Sequence, residues 1–198
     1  MKFCLLASLF LFSNCLFAQA PDPGNSFPKE CLDATEYQLA ELINTYRAEK
    51  HLPAVELSVS LSYVARSHCH DLAETDVYSG KCNLHSWSDH GKWSACCYTP
   101  DHKQASCMWN KPRELTSYTG QGFEIAYFTT SSFDSPEEYA KEIFDSWKKS
   151  SGHNEVIINK GIWKDVEWKA MGIGIWNGYA TVWFGEIIDT AGKPELCK

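Results

Sequence analysis

Apolar positions along the chain change their spacing between its first and last thirds. Between Asp33 and Lys50 they recur at helical intervals, with Leu39, Leu42, Ile43 and Tyr46 on one face. Asp33 with Glu36, or Thr35 with Gln38, offers a capping box at its start, and Leu52-Pro53 stops the run. Ser58 heads a second helix whose inward stripe reads Leu61, Val64, Ala65, His68 and Leu72. A third helix starts at Ser135. Pro136 sits in its first turn, Glu138 completes a capping box, and Tyr139, Ile143, Phe144 and Trp147 form the apolar stripe. Further on the period shortens. Met171 to Trp176 and Tyr179 to Ile187 are strand-like runs joined by Asn177-Gly178, a pair that accepts positive φ at both turn positions and so predicts a hairpin. Gly122 to Phe128 reads as another strand. Helices early, a hairpin late and no regular βαβ alternation predict an α+β fold, with helices on a mostly antiparallel sheet. No repeat or low-complexity segment interrupts it.

The start of the chain follows a different rule. Lys2 is followed by an apolar run from Leu5 to Phe17, broken only by Ser8, Ser13, Asn14 and Cys15, and then by Ala18-Gln19-Ala20 and Pro21-Asp22-Pro23-Gly24. Positive charge, greasy segment and small-x-small site in that order predict a signal peptide over 1–20, cleaved near Ala20. The run is too short for a membrane anchor, which needs about 20 apolar residues. Lipidation at Cys15 would want a small residue where Asn14 stands. A lead-in over 21–31 and one domain over 32–198 follow. The expected mature chain has no transmembrane segment, is secreted or periplasmic, and is a monomer.

Charge narrows the partners. Of 18 basic residues Lys2 leaves with the signal, so 17 face 25 acidic ones. No dense basic stripe is present, which argues against nucleic acid and anionic membrane surfaces. Seven cysteines remain beyond residue 20, and in an exported chain their default use is disulfides. Cys31 and Cys197 flank the domain and could tie its ends. Cys82, Cys96, Cys97 and Cys107 crowd a stretch with little hydrophobic periodicity, which bridges would hold. Cys69 completes the set. Seven is odd, so at least one thiol stays free or pairs elsewhere, and six partners alone allow 15 connectivities. No C-x-x-C pair supports a structural zinc site.

No H-E-x-x-H, G-x-S-x-G, phosphate-cradling loop or dinucleotide fingerprint is present. Three titratable residues stand in conspicuous settings. His85 lies in Cys82-Asn83-Leu84-His85-Ser86-Trp87, Glu124 in Gly122-Phe123-Glu124-Ile125-Ala126, and His153 in Ser150-Ser151-Gly152-His153, just past the third helix. His68-Cys69-His70 has the look of a metal motif. On a helix, however, residues two apart do not face each other, so His68 belongs with the core stripe or behind a site.

Together these segments resemble the CAP superfamily, also called SCP-like: cysteine-rich secretory, antigen 5 and pathogenesis-related proteins. Leu42-Ile43-Asn44-Thr45-Tyr46-Arg47 is similar to its first-helix motif, with an Asn and an Arg. Leu57 to Leu72 is similar to its second helix, and Leu84-His85-Ser86 to its His-Ser segment. Gly122-Phe123-Glu124-Ile125 resembles its Gly-Glu-Asn-Ile segment, with Phe123 inserted and Ala126 in the Asn place. Ser151-Gly152-His153-Asn154-Glu155-Val156-Ile157 resembles the bacterial Ser-Pro-Gly-His version. Gly172-Ile173-Gly174 and Trp183-Phe184-Gly185 resemble the closing hairpin. The likeness runs from about Leu32 to Ile187 and implies a three-layer α-β-α sandwich. It also implies a central cleft where two His and two Glu can hold a divalent metal. His85, Glu124 and His153 are carried over, while Ser150 stands in the place of the second Glu. Ser86 to Glu114 departs from the simplest bacterial pattern as a cysteine-rich insertion at about 86–114, expected over or beside the cleft.

Two functions of different kinds follow. One is a secreted binding or interaction module whose cleft holds zinc through His85, Glu124 and His153, or a small lipid-like ligand, and whose partner is an extracellular protein or lipid. The other is a peptidase or esterase. There His85, Glu124, His153 and Ser86 would supply base, orienter and nucleophile, or zinc would activate water. A disulfide-hardened scaffold without a small ligand is a third. Zinc affinity is expected to fall below about pH 6.5, because a protonated imidazole cannot ligate.

Overall fold

The computed structural model describes residues 31–198. The expected signal peptide and all but the last residue of the lead-in lie outside the described residues. Helix α1 (Ala34–Glu49) starts at Asp33 through the first of the two boxes the sequence offered. Glu36 N–H donates to Asp33 Oδ1 at 2.8 Å, and Asp33 N–H donates to Glu36 Oε2 at 2.9 Å. A two-residue strand β1 (Glu56–Leu57) leads into α2 (Val59–Glu74), whose N-cap is Ser58. Asp189 sits under this end and accepts from the Ser58 and Ser60 hydroxyls and from Ser60 N–H. Within the insertion lie two short helices, α3 (Ala105–Trp109) and α4 (Lys111–Leu115). Strand β2 (Phe123–Phe128) follows, then α5 (Pro136–Lys149), α6 (Ser151–Ile157), a 3₁₀ turn at Gly161–Trp163, and the hairpin β3 (Ala170–Trp176) and β4 (Tyr179–Gly185).

The hairpin turn forms as its residues require, with Asn177 at φ 47° and Gly178 at φ 84°. One expectation needs correction. Glu138 does not close a reciprocal box, because its carboxylate takes Asp134 N–H instead of the N-cap amide. The segment holding His153, just past the third helix, forms a helix of its own, too short to leave a periodic signature.

The sheet order is β1-β3-β4-β2, with β1 parallel to β3 and the other pairs antiparallel. Side chains alternate across it. Ile125, Met171, Ile173, Val182 and Phe184 point toward α1 and α5, where Leu39, Ile43, Tyr46, Ile143 and Trp147 complete the larger core. Ala170 and Trp183 point the other way, onto Leu61, Val64 and Ala65 of α2. The result is the expected three-layer arrangement, with the sheet between α2 and the α1–α5 pair. Among the described residues no helix is long and apolar enough to cross a membrane.

The two motif residues of α1 are structural. Asn44 clamps Val55 through both its backbone groups, at 2.9 and 3.1 Å. Arg47, buried, donates to Pro53 O, to Ile157 O at 2.6 Å and to Asn159 Oδ1 at 2.7 Å. A cation at the carbonyl end of α6 meets the negative end of its dipole and fixes where that helix sits.

Among the described residues three disulfides form: Cys31–Cys197, Cys82–Cys97 and Cys96–Cys107. The first closes the domain beside a short backbone bridge in which Leu32 N–H donates to Glu195 O and Cys197 N–H to Leu32 O. The other two brace the insertion. The odd thiol is Cys69, buried under α2, where burial pushes its ionisation up.

Helix α2 approaches β3 too closely for a side chain at two strand positions. A Cβ on Gly172 would lie 2.0 Å from the Leu61 carbonyl carbon, and one on Gly174 would lie 2.3 Å from Arg66 N. Both obstacles are backbone and cannot rotate away. Gly172→Ala is therefore expected to cost at least about 3 kcal/mol. Gly152→Ala, on α6 with nothing within 4 Å, is expected to be neutral or to gain up to about 1 kcal/mol. Urea unfolding of the two variants against wild type checks both.

Candidate functional site

The site forms where α2, the insertion and β2 meet. Glu124 is the second residue of β2 and pairs across the ladder with Trp183. Its side chain is fully buried on the α2 face. His68 comes down from α2 and sets Nδ1 2.5 Å from Glu124 Oε1. From the other side His85 sets Nδ1 2.8 Å from Glu124 Oε2. One carboxylate thus bridges two imidazoles, and both of its oxygens are used.

The hydrogen-bond partners assign the protons. His68 Nε2 lies 2.9 Å from the Ser86 carbonyl, which only accepts, so this nitrogen carries a proton. Burial alone would raise the Glu124 pKa. The facing His68, with hydrogen bonds from both imidazoles, outweighs burial and holds the carboxyl below its usual range. An ionised Glu124 needs a second proton on His68, at Nδ1. His68 is then a buried imidazolium whose two donors are both answered. Trp87 stacks on it with ring centroids 4.3 Å apart and planes 6° apart, a cation against a π face. Trp183 meets it edge-on at 6.3 Å.

His85 is held by the loop after α2. Asn83 Oδ1 accepts from His85 N–H at 3.0 Å, an Asx turn that sets the backbone. The loop pairs with the insertion, where Trp87 and Cys96 exchange two backbone hydrogen bonds and Asn83 N–H donates to Tyr98 O. Asp71, one turn after His68 on α2, takes both Ser88 N–H and the Ser88 hydroxyl. The Tyr98 ring lies edge-on to His85 at 5.3 Å. The insertion therefore lies beside His85 and forms its wall.

Ser86 is buried. Its hydroxyl accepts from Tyr98 N–H at 2.9 Å and faces Tyr98 O at 3.4 Å, while its carbonyl serves His68. His153 sits in the first turn of α6, half-buried, and makes no hydrogen bond to His85 or Glu124. It feels both electrostatically. Burial, and then His85, push its pKa down to about 4, and Glu124 opposes them. Ser150, in the place of the second family Glu, ends α5 and begins α6. His70 points elsewhere, stacked on Trp176 at 4.3 Å and 3.5 Å from Glu74.

His68 is the member that sequence reasoning left behind the site. Its only signal was a basic residue on a buried stripe, which demands an acidic partner without saying which one.

The donor chemistry can be tested against a metal. Among the described residues no three His, Cys, Asp or Glu side chains converge as a metal-holding group. Each oxygen of Glu124 already faces an imidazole. Contact through Nδ1 leaves His85 Nε2 as that residue's free ring nitrogen, with Glu124 orienting the ring from behind. Metal-ligating histidines commonly donate their second ring nitrogen to a carboxylate in this way.

Two outcomes follow. Removing His68 leaves Glu124 buried beside one imidazole, so His68→Leu is expected to cost about 3–5 kcal/mol in urea unfolding. His153 is protonated near pH 6.5 when unfolded but only near pH 4 when folded. Between those values the unfolded state binds more protons, so stability rises with pH and is lost as pH falls through that window. With solvent screening, His153→Gln is expected to remove about 1–2 kcal/mol of this loss, read from unfolding curves at pH 7 and pH 4 in a chelator.

Comparison with known proteins places this geometry. The model of the Cysteine-rich secretory protein family, CAP, matches residues 40–164. Among solved structures the chain is similar to a cysteine-rich secretory protein from Staphylococcus aureus subsp. aureus Mu50, at 14% identity and TM-score 0.49, over 77% of this chain and 38% of that one. It is also similar to an extracellular protein containing a SCP domain from Bacillus anthracis str. Ames, at 15% identity and TM-score 0.51, over 77% of this chain and 40% of that one. The chain thus spans about two fifths of the length of either, and the second likeness speaks for the fold alone. No curated protein matches. With the family match covering more than half of its length, on a sheet flanked by α2 and the α1–α5 pair, the chain belongs to the cysteine-rich secretory protein (CAP) family.

Proposed function

We propose that this protein is an exported binding module whose cleft takes a divalent metal, zinc foremost, on His85 and His153. The observation that carries the reading is the bridge of Glu124 between His68 and His85 at 2.5 and 2.8 Å. The buried imidazolium fixes the carboxylate. The carboxylate fixes the His85 tautomer, with the proton on Nδ1 and Nε2 free for a ligand. His153, kept neutral chiefly by burial, retains its lone pair well below pH 6.5. A two-imidazole metal would keep open positions for a carbonyl, carboxylate or phosphate oxygen on an extracellular protein or lipid. Export is supported by the leader pattern and by three disulfides, which persist in oxidising compartments.

Hydrolysis by Ser86 is not part of this reading. A nucleophile needs a reachable hydroxyl beside a base. That of Ser86 is buried and bonded to the Tyr98 backbone, and His68 meets its carbonyl instead.

Calorimetric zinc titration separates the roles. His85→Ala and His153→Ala are each expected to abolish measurable binding. Glu124→Gln is expected to weaken it about 10–100-fold, as loss of an outer partner does. The His153 contribution should hold down to about pH 5 and fail near pH 4. Wild type that takes up no zinc, or His variants that bind as tightly, would remove the metal from the reading. Ester or peptide turnover lost in His85→Ala would replace binding by hydrolysis.

A further inference from the structure

A second site lies at the other end of the same strands. Phe128, Tyr179 and Trp176 stand in register across β2, β4 and β3, at the edge where the hairpin turns. Phe128 is four residues beyond Glu124, roughly 13 Å along the strand. The last turns of α2 cover Tyr179 and back Trp176 through His70, but leave the outer rings of the row partly open. Phe128 is 42% exposed and Trp176 48%. Phe128 rests on Tyr179 with centroids 4.4 Å apart, and Trp176 on His70 at 4.3 Å. Each outer ring is thus backed on one face and open on the other.

Two cavities adjoin this edge. One, of about 420 Å³, is lined by Phe128, Thr129, Thr130, Asn177 and Tyr179. The other, of about 360 Å³, is lined by Thr35, Ser132, Phe133, Asp134, Ser135 and Tyr139. They share Ser131 and Gly178. Phe133 in turn stacks on Tyr139, with centroids 4.6 Å apart and planes 11° apart. Each cavity thus has an aromatic wall backed by a tyrosine and a rim of hydroxyls. Neither lining holds a Lys, Arg or His, and Asp134 is its one carboxylate.

We infer that this groove binds a neutral oligosaccharide, with one sugar ring in each cavity. A pyranose has an apolar C–H face, which suits the electron-rich face of a ring such as Phe128 or Phe133. Its edge is a belt of hydroxyls that both donate and accept, as the Ser and Thr hydroxyls and the Asn177 amide do. The cavity volumes fall in the range of small-ligand sites. The absence of a cation, on a chain of net charge −7, selects against sulfated or phosphorylated ligands. A purely apolar ligand would strip the hydroxyl rim of water without replacing its hydrogen bonds, which costs free energy.

Titration calorimetry of the mature chain with cellotetraose, chitotetraose and a sulfated tetrasaccharide tests this. At least one neutral oligomer is expected to bind, and the sulfated one is not. Phe128→Ala with Phe133→Ala should weaken binding at least tenfold, while His85→Ala leaves it unchanged. Ser131→Trp, which fills the wall between the cavities, should abolish it, and circular dichroism confirms that each variant is folded. The inference falls if no neutral oligomer binds up to about 5 mM. It also falls if the sulfated ligand binds more tightly, or if the folded double variant and Ser131→Trp bind as wild type does.

Discussion

Helix α2 lies on β3 with backbone against backbone, and much of the molecule depends on that approach. Gly172 and Gly174 remove the two side chains that would otherwise hold the helix away. At this depth the exposed polar groups of both elements can answer one another. The Thr181 hydroxyl reaches Ala65 O, the Cys69 thiol reaches Gly174 O, and Ile173 N–H faces the Ser62 hydroxyl. The same depth lets His68 pass over β4, against the edge of Trp183, and meet a carboxylate on the far strand. A helix raised by the width of one methyl group would leave His68 short of Glu124. Packing between two glycines and a helix thereby determines proton positions at a site two strands away.

Burying His68 and Glu124 as ions is costly by several kcal/mol for each charge, and their attraction need not repay it. The surroundings offset the cost by answering the pair's own donors and acceptors, while the indole N–H groups of Trp87 and Trp183 beside it have no hydrogen-bond partner among the described residues. Nε2 has the Ser86 carbonyl, Oε2 has His85, and the imidazolium face has Trp87. What the arrangement supplies is orientation: a carboxylate with both oxygens committed cannot rotate, and a histidine that donates to it cannot change tautomer freely. The insertion contributes by bringing Trp87, Ser86 and Tyr98 to one place, and its two disulfides hold a segment with little core of its own.

Much of the fold was legible because it rests on local chemistry. Asp33 with Glu36, Ser58, Ser135 and Asn177-Gly178 are short-range signals that act through their own backbone, and each appears where its pattern predicts. The short elements were not legible. Helix α6 spans seven residues and is fixed by the distant Arg47, so no period in its own sequence announces it. For the site, His85 and Glu124 were named from their segments, and they do touch. The other contact of the carboxylate, His68, was obscured by its place on an apolar stripe, which put it with the core or behind a site. Ser86 looked available beside His85 because sequence adjacency does not show which side of a turn a hydroxyl faces. The family resemblance carried over His85, Glu124 and His153 as a set, whereas only the hydrogen bonds show that both oxygens of Glu124 face imidazoles.

Cys69 carries a consequence for how the chain reaches this state. Among the described residues the unfolded chain carries seven cysteines, and Cys96 and Cys97 are neighbours with different partners. Nothing in the local sequence keeps Cys69 out of disulfide exchange. It is withdrawn only when α2 seats on the two glycines and the thiol turns to Gly174 O, buried and with its ionisation suppressed. Thiolate is the species that attacks a disulfide. Seating of the helix thus takes Cys69 out of exchange and leaves the other six cysteines to one another.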